Sequence, residues 1–284
     1  MKKVLFYLGV VLLFAACNVT EKPELQEEKA NVTVCINDFE LIQEPMTGGK
    51  ASADEAVKKI SFAIFKANGD LEYSTTQSIE DSSFGTINYP LYQGEYTLVA
   101  VGHRSSLGHA TIQSPALVTF PSNYLTDIFA KVQQLSVTST SPKTVHMELD
   151  RAVSRFTISP LDTIPSNVYY INFEFSDGGY TLNPATLLSP SSTGYTHTIT
   201  VPISARGTQT EATRFIILNA EEQTMDITVS AKDSLGVNIV SHTFEDVTMQ
   251  RNLQTIARGH FYSTTGSTTF TFNNTWLEND TIYF

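Results

Sequence analysis

The chain has 284 residues, of which 41% are hydrophobic, 11% aromatic and 17% charged, so it can bury a core and does not have the composition of a disordered chain. Its length suits one large domain or two ordinary ones. Acidic residues outnumber basic ones by 29 to 18, and a formal net charge of -11 argues against a phosphate-backbone ligand, so we expect no nucleic acid as a partner.

The amino terminus has the pattern of a secretion signal. Two lysines precede an apolar run at residues 4–14, which is too short to span a bilayer as a stable helix. Cys17 follows two alanines and is similar to the cysteine of a bacterial lipobox, although Phe14 stands where Leu is commoner. We therefore predict a lipoprotein signal peptide at residues 1–16 and a lipid on Cys17. The alternative is an ordinary signal peptide, or a first buried strand, with a cysteine nearby by chance.

An acidic tether is predicted at residues 17–30. Residues 18–30 contain four Glu, two Lys and a Pro and show no apolar period. Fully extended, these residues reach at most about 45 Å. With Cys17 committed to lipid, Cys35 is the only other cysteine, so no internal disulfide can form, and we interpret Cys35 as a small buried residue of the first strand.

From residue 31 onward the pattern is that of short β-strands. A first strand is predicted where apolar residues alternate, at Val32, Val34 and Ile36. Residues 60–65 and 71–75 flank Asn68 and Gly69, and this dipeptide predicts a β-hairpin with a type I′ turn. Residues 96–101 are nearly all apolar, which predicts a strand covered on both faces.

The rest of the chain repeats this character. Further strands are predicted at residues 126–137, 144–149, 169–175, 199–203, 215–218, 225–231, 237–244, 261–262 and 268–272. About fourteen short strands at regular spacing indicate an all-β protein made of two β-sandwiches in tandem. We place the domains at residues 31–145 and 146–284, since Ser, Thr and Pro cluster close to that boundary.

The sequence lacks the common catalytic motifs: no G-x-S-x-G, P-loop, G-x-G-x-x-G or S-x-x-K occurs. The six histidines show no metal-binding spacing, and a surface loop explains His103 and His109 better than a metal or substrate site. Adjacent carboxylates such as Glu221 and Glu222 point to opposite faces of a strand, so they do not converge on a substrate. We predict no enzyme, no catalytic residue, no metal site and no cofactor.

One aromatic set leaves a sugar-binding alternative open. Trp276 with Tyr89, Tyr92 and Tyr96 could form a stacking platform for a glycan. The same residues are what a β-core and its rim contain, and we favour that interpretation.

Four segments and the late Trp276 occur in a characteristic order. The segments are residues 58–76 (KKISFAIFKANGDLEYSTT), 93–103 (QGEYTLVAVGH), 145–159 (VHMELDRAVSRFTIS) and 249–262 (MQRNLQTIARGHFY). Together they resemble the FimB/minor-fimbrium-anchor family of Bacteroidales fimbrial lipoproteins, which are subunits of type V pili. The motif residues Arg151, Arg155, Arg251 and Asn252 are interpreted as structural.

The resemblance implies two transthyretin-like β-sandwiches and a subunit that joins its neighbours by β-strand exchange. The candidate exchange residues are Val32, Val34 and Ile36 in the first strand and Phe270, Phe272, Leu277, Ile282 and Phe284 in the tail. For the tail, an edge strand that completes its own domain is an equal alternative.

The function expected from this resemblance is an outer-membrane lipoprotein, exposed on the cell surface, that anchors or terminates a fimbrium. Its partners would be other fimbrial subunits and the membrane, through lipid on Cys17, with glycans or host proteins as further candidates. No arginine occurs between Cys17 and His103, which favours an anchor that keeps its first strand. The alternatives are a stalk or tip adhesin processed near Lys50, or a surface glycan-binding lipoprotein.

Overall fold

The computed structural model describes residues 28–39, 57–105, 108–120, 125–263 and 270–276. Nearly all regular structure in these residues is β-strand, and the strands build two β-sandwiches in tandem, so the predicted fold class is confirmed. A single 3₁₀ turn at Ile203–Ala205 accompanies the strands in these ranges.

The first half of the chain contributes nine strands: β1 (Ala30–Phe39), β2 (Lys59–Lys66), β3 (Leu71–Ser78), β4 (Thr86–Leu91), β5 (Gly94–His103), β6 (Thr111–Ser114), β7 (Leu117–Thr119), β8 (Ile128–Val137) and β9 (Lys143–Arg151). Seven of them form one continuous sheet of order β3-β2-β5-β8-β9-β1-β4. Its two parts, β4-β1-β9 and β3-β2-β5-β8, share one core and act as the two sheets of a sandwich. The sheets join where β8 and β9 pair at Phe129↔Arg151 and Ala130↔Asp150. β6 and β7 form a hairpin beside β2, where the Ser61 hydroxyl donates to the Ala110 carbonyl at 3.1 Å.

The second half contributes another nine strands: β10 (Ser154–Pro160), β11 (Tyr170–Phe175), β12 (Thr181–Leu182), β13 (Tyr195–Thr200), β14 (Ala212–Ile216), β15 (Glu222–Lys232), β16 (Asn238–Gln250), β17 (Leu253–Gly259) and β18 (Thr271–Trp276). Their two main sheets have the orders β14-β10-β17-β18 and β13-β11-β15-β16. β12 leaves this sandwich and pairs with β7 of the first.

The two sandwiches repeat one connectivity. In each, the first strand lies between an antiparallel neighbour and a parallel late strand: β1 between β4 and β9, and β10 between β14 and β17. β18 is an addition to this plan, since it pairs antiparallel with β17 at the edge of its sheet. The predicted boundary between residues 145 and 146 falls inside β9, which pairs along its length with β1 and β8, and the change of sandwich follows Arg151.

The hairpin between β2 and β3 forms, but its turn is not the predicted type I′. Among the described residues only Leu187, Asp246 and Asn252 have positive φ outside glycine, so Asn68 does not. Gly69 alone, at φ 89°, takes the left-handed region, and its N–H donates to the Lys66 carbonyl at 2.9 Å. This is a three-residue loop with a glycine bulge, and the Asn68 side-chain carbonyl stabilises it by accepting the Asp70 N–H at 3.1 Å.

The burial of β5 agrees with its sequence pattern, since its last six residues are all buried. The strand predicted at residues 261–262 is wrong, because Phe261 and Tyr262 lie after β17 in irregular chain. Their backbone N–H groups donate to the Asp162 carboxylate at 2.9 and 2.8 Å and are therefore satisfied without a sheet partner.

Candidate functional site

β1 occupies the middle of the smaller sheet of the first sandwich. Val32 pairs with Tyr89 on one side and Lys143 on the other, and Val34 is similarly held on both sides. Both valines are 1% exposed and belong to the core between the sheets, and Ile36 packs against that core half-buried. Of the three residues predicted for the first strand, Val32 and Val34 thus lie in the core of the first sandwich and Ile36 packs against it.

Cys35 lies in the same strand but points away from that core. It is in the first strand, as predicted, but it is half-buried and not buried. Alternation along β1 places the even-numbered Val32 and Val34 inward, which turns Cys35 to the opposite face.

β18 completes its own sandwich. Its backbone pairs antiparallel with β17, from Leu253↔Trp276 to Arg258↔Thr271. Just before it, the Phe270 ring lies 4.8 Å from Phe244 and 5.3 Å from His242, centroid to centroid, against the second core. Phe270 therefore packs, partly buried, against the second core directly before β18.

Several predicted positions fall outside the described residues. They are Cys17, Lys50, Leu277, Ile282, Phe284 and the side chain of Phe272, whose backbone pairs with Ala257. Within the described ranges, no helix is long and apolar enough to cross a membrane.

The junction between the sandwiches is built on a buried arginine. Arg151, at the end of β9, is 1% exposed and donates from Nε and Nη2 to the two carboxylate oxygens of Asp127 at 2.7 and 2.9 Å. Its Nη1 donates to the Asn252 side-chain carbonyl of the second sandwich at 3.0 Å. The guanidinium also lies 4.9 Å from the centroid of the Phe129 ring. One side chain therefore ties both sandwiches together.

Other motif residues surround this arginine. Arg251 donates from Nη1 to the Arg151 carbonyl at 2.6 Å and from Nε to Glu221 at 2.7 Å. Asn252 has φ 65°, a conformation that asparagine tolerates, and its N–H donates to the Val153 carbonyl at 2.9 Å. Arg155 donates to the Gln254 side chain inside the second sandwich. Each of these residues thus makes contacts within the folded chain, in agreement with a structural interpretation.

Sequence reasoning missed the acidic partners of this framework. Asp127 lies directly before the apolar start of β8, and Asp162 follows β10. Each is an isolated acidic residue next to a strand, which is a common position for aspartate. Asp162 accepts three backbone N–H groups, from Phe261, Tyr262 and Ser263. No sequence pattern marks either residue as a buried hydrogen-bond acceptor, since each meets its partners only through folding.

His103 has an unusual environment. It is the last residue of β5 and is 3% exposed, so the surface loop expected for it is wrong. Neither ring nitrogen has a hydrogen-bond partner among the described residues. Burial, with smaller contributions from Lys59 and His109, lowers its pKa to about 4, so the imidazole is neutral at pH 7. No group of three or more His, Cys, Asp or Glu side chains in the described ranges is placed to hold a metal ion.

His197 is a second neutral histidine, and it links the two edge strands β13 and β14 through Arg214. Arg214 Nε donates to His197 Nδ1 at 3.1 Å. Burial, followed by the charge of Arg214, lowers the pKa of His197 to about 4, and burial lowers the pKa of Arg214 to about 10. This contact requires the unprotonated nitrogen and is a structural one.

The candidate aromatic platform is not assembled. Tyr96 is 5% exposed, Tyr89 stacks on Tyr73 at 4.3 Å, and the Lys29 ammonium lies 4.3 Å above the Tyr92 ring. Trp276 belongs to the edge strand of the other sandwich. The tyrosines serve the core and rim of the first sandwich, as favoured from the sequence.

Three solved structures are among those similar to this chain. The fimbrial anchor protein Mfa2 from Porphyromonas gingivalis is 14% identical, with a TM-score of 0.46 and coverage of 88% of this chain and 98% of that one. The tip fimbrial protein Mfa3 from the same organism is 11% identical, with a TM-score of 0.45 and coverage of 88% and 100%. A fimbrial assembly protein from Parabacteroides distasonis is 11% identical, with a TM-score of 0.42 and coverage of 87% and 95%.

No curated protein sequence gave a match to the chain. The family of fimbrillin-A associated anchor proteins Mfa1 and Mfa2, by contrast, matches over residues 23–282. This range takes in both sandwiches, the arginine-centred junction and β18, and it confirms the resemblance found in the sequence. The chain belongs to the fimbrillin-A associated anchor protein family.

Proposed function

We propose that this protein is a non-catalytic outer-membrane lipoprotein that anchors or terminates a fimbrium. In this proposal, lipid on Cys17 attaches the protein to the membrane, the acidic tether carries it at the cell surface, and β-strand exchange links it to a neighbouring subunit. The observation that carries the proposal is the match of residues 23–282 to a family of fimbrial anchor proteins.

The position of β1 favours an anchor over a stalk subunit. A subunit whose first strand fills its own groove has no room there for a strand from another chain. β1 pairs on both edges and buries Val32 and Val34, so releasing it would expose the core of the first sandwich. The alternative is a stalk or tip adhesin whose first strand is removed by cleavage near Lys50.

β18 and the residues that follow it are the proposed link to the neighbour. An edge strand pairs with one partner only, so it leaves its sheet at a lower cost than a central strand does. In this structure β18 pairs with β17 of the same chain, so donation requires β18 to dissociate or residues 277–284 to act alone.

Anchoring is tested by comparing wild-type cells with cells that carry Cys17→Ser. We expect the wild-type chain in the outer membrane, with mass spectrometry giving a mature amino terminus at acylated Cys17. The variant should be shed into the medium together with its fimbriae. A native chain that begins after Lys50 would support the adhesin alternative instead.

The strand link is tested with a chain that ends at residue 269 and so lacks β18. This chain should stay in the outer membrane while fimbriae are released without it, the opposite distribution from Cys17→Ser. Circular dichroism of the purified truncated chain checks that the sandwiches remain folded. Fimbriae that stay attached to cells carrying it would rule out β18 as the link.

A further inference from the structure

Exposed apolar side chains concentrate at one end of the second sandwich. Among the described residues, eight large hydrophobic side chains are exposed. Five of them are Leu161 at 41%, Tyr169 at 37%, Ile203 at 80%, Leu235 at 86% and Val237 at 60%. They lie in residues 161–169, 201–211 and 233–237, which we name the distal cap. Large apolar side chains gathered in this way mark a contact surface more often than scattered ones do.

The distal cap lies at the end of the second sandwich that is remote from the junction. β10 starts beside the junction at Ser154 and ends at Pro160, directly before the first of the three loops. The other two loops follow Thr200 of β13 and Lys232 of β15, which both pair with Tyr170 at the start of β11. All three loops therefore leave the same end of the strands.

Hydrogen bonds hold two of these loops to each other. The Ile164 N–H donates to the Thr208 carbonyl at 2.9 Å, and the Gly207 N–H donates back to the Ile164 carbonyl at 2.8 Å. The Gln209 side chain donates to the Leu161 carbonyl at 2.6 Å. The exposed Leu161 and Ile203 are thus carried on a braced pair of loops.

The third loop is braced as well. Asp233 accepts the N–H groups of Leu235 and Val237 on one carboxylate oxygen at 2.8 and 2.9 Å. The Tyr169 N–H donates to the Lys232 carbonyl at 2.8 Å, which joins this hairpin to the other loops. A surface that is ordered before binding loses little conformational entropy when a partner docks.

Three charged side chains of the distal cap have partners within the same chain. Asp162 accepts three backbone N–H groups, Asp233 accepts two, and the Arg206 guanidinium lies 3.8 Å from the centroid of the Tyr169 ring. These groups keep their internal partners when a neighbour approaches. Among the exposed residues of these loops Glu211 alone is charged, so the surface offered outward is a mixture of apolar and uncharged polar side chains. Such a surface is desolvated at a lower cost than a charged one.

We propose that the distal cap is a docking surface for a neighbouring fimbrial subunit, which meets it with a folded, apolar and non-acidic face. This contact rests on the proposed function. It lies at the end of the sandwich where β18 begins, since Thr271 pairs with Arg258. Trp276, by contrast, pairs with Leu253 at the junction end. The contact would therefore accompany a strand link made by β18 itself and not one made by residues 277–284 alone.

A second copy of this chain is disfavoured because two molecules of formal net charge -11 repel each other. An anionic lipid surface is disfavoured because Arg206 is the only basic residue of the three loops, and it stacks on Tyr169.

The test uses the mature full-length chain and fimbriae sheared from source cells that lack this protein. The variant carries Ile203→Asp and Leu235→Asp together. The matched control is Leu71→Asp, since Leu71 is 52% exposed beside a hairpin turn of the first sandwich. Binding of labelled chain to purified fimbriae should weaken about tenfold or more in the double variant and stay within about twofold in the control. Equal melting temperatures check that the variants are folded.

The outcomes separate this inference from the proposed function. If the wild-type chain does not bind fimbriae, both fail. If truncation at residue 269 abolishes binding while the double variant binds as the wild type does, the strand link stands and the distal cap is overturned as a docking surface. Sedimentation of the wild-type chain and its binding to phosphatidylcholine and phosphatidylglycerol vesicles complete the test. Dimer formation or vesicle binding that the double variant abolishes would overturn the choice of partner.

Discussion

Arg151 and Asp127 form a buried bidentate ion pair, with Nε and Nη2 of the arginine donating to the two carboxylate oxygens at 2.7 and 2.9 Å. A third bond, from Nη1 to Asn252, reaches the second sandwich. Fork-shaped guanidinium pairing fixes both distance and angle, so this contact sets how the end of β9 meets the turn between β16 and β17. The two sandwiches are therefore connected by the hydrogen bonds of Arg151 and also by the pairing of β12 with β7.

Asp127→Asn should destabilise the protein by about 3 to 5 kcal/mol, because it leaves a buried guanidinium without its counter-charge. The matched control is Asp150→Asn, which breaks the partly exposed pair of Lys131 and Asp150 and should cost about 1 kcal/mol or less. Urea unfolding measures both values. Equal losses in the two variants would contradict the role given to Arg151.

Val34→Asp should prevent stable folding of the first sandwich or cost more than about 4 kcal/mol, because it places an unpaired carboxylate in the core. Thr33→Asp, on the opposite face of β1, is the control and should cost much less. Thermal unfolding followed by circular dichroism compares them. A Val34→Asp protein as stable as the control would show that β1 does not fill the groove in solution.

Asp162→Asn should loosen the chain between β17 and β18. The carboxylate accepts three N–H groups from residues 261–263, and hydrogen bonds to a charged acceptor are stronger than neutral ones. We expect faster amide hydrogen exchange at residues 261–263 and in β18. Asp233→Asn removes a similar brace from the distal cap and should leave these amides unchanged. Unaltered protection of these amides from exchange in Asp162→Asn would contradict this role of the Asp162 carboxylate.

Acid should destabilise the protein through His103. The pKa of His103 is lowered to about 4 in the folded chain against about 6.5 in an unfolded one, so the folded state binds fewer protons between these values. The contribution of His103 to stability is full above pH 6.5 and declines as pH falls toward 4, by a total on the order of 3 kcal/mol.

His103→Leu should therefore reduce the difference between urea midpoints at pH 7.5 and pH 5. The reduction should be partial, because the lowered pKa of His197 acts in the same direction. His260→Gln, at an exposed position, is the control and should leave the difference unchanged. A pH dependence that His103→Leu does not alter would contradict the assignment.

Local pattern was a reliable guide where a strand has one face in a core and one in solvent. Val32 and Val34 alternate with polar residues, and β1 lies where that alternation predicts. The same reasoning missed β10 and β17, whose polar residues are buried. Arg155 pairs with Gln254, and Gln254 donates to Thr157 at 2.9 Å, so these side chains satisfy each other inside the sandwich.

The candidate site was also predicted only in part from the sequence. The tail is apolar enough to predict a strand, and β18 is one, yet its partner β17 was not recognised. Asp127 and Asp162 were missed because a carboxylate before or after a strand is ordinary on its own. Their importance comes from the groups that folding brings to them.

Residue order along the chain was enough to establish the all-β class, two sandwiches, the β2–β3 hairpin and membership of the fimbrial anchor family, because hydrophobic alternation and short motifs are local properties. Folding alone decided the parallel pairing of β1 with β9, the contact of Arg151 with Asp127 and Asn252, and the gathering of exposed apolar side chains in the distal cap. The physical reason is distance along the chain: Val32 and Lys143 become neighbours only after many residues between them have folded, and no local pattern records which strand edges and buried charges will then meet.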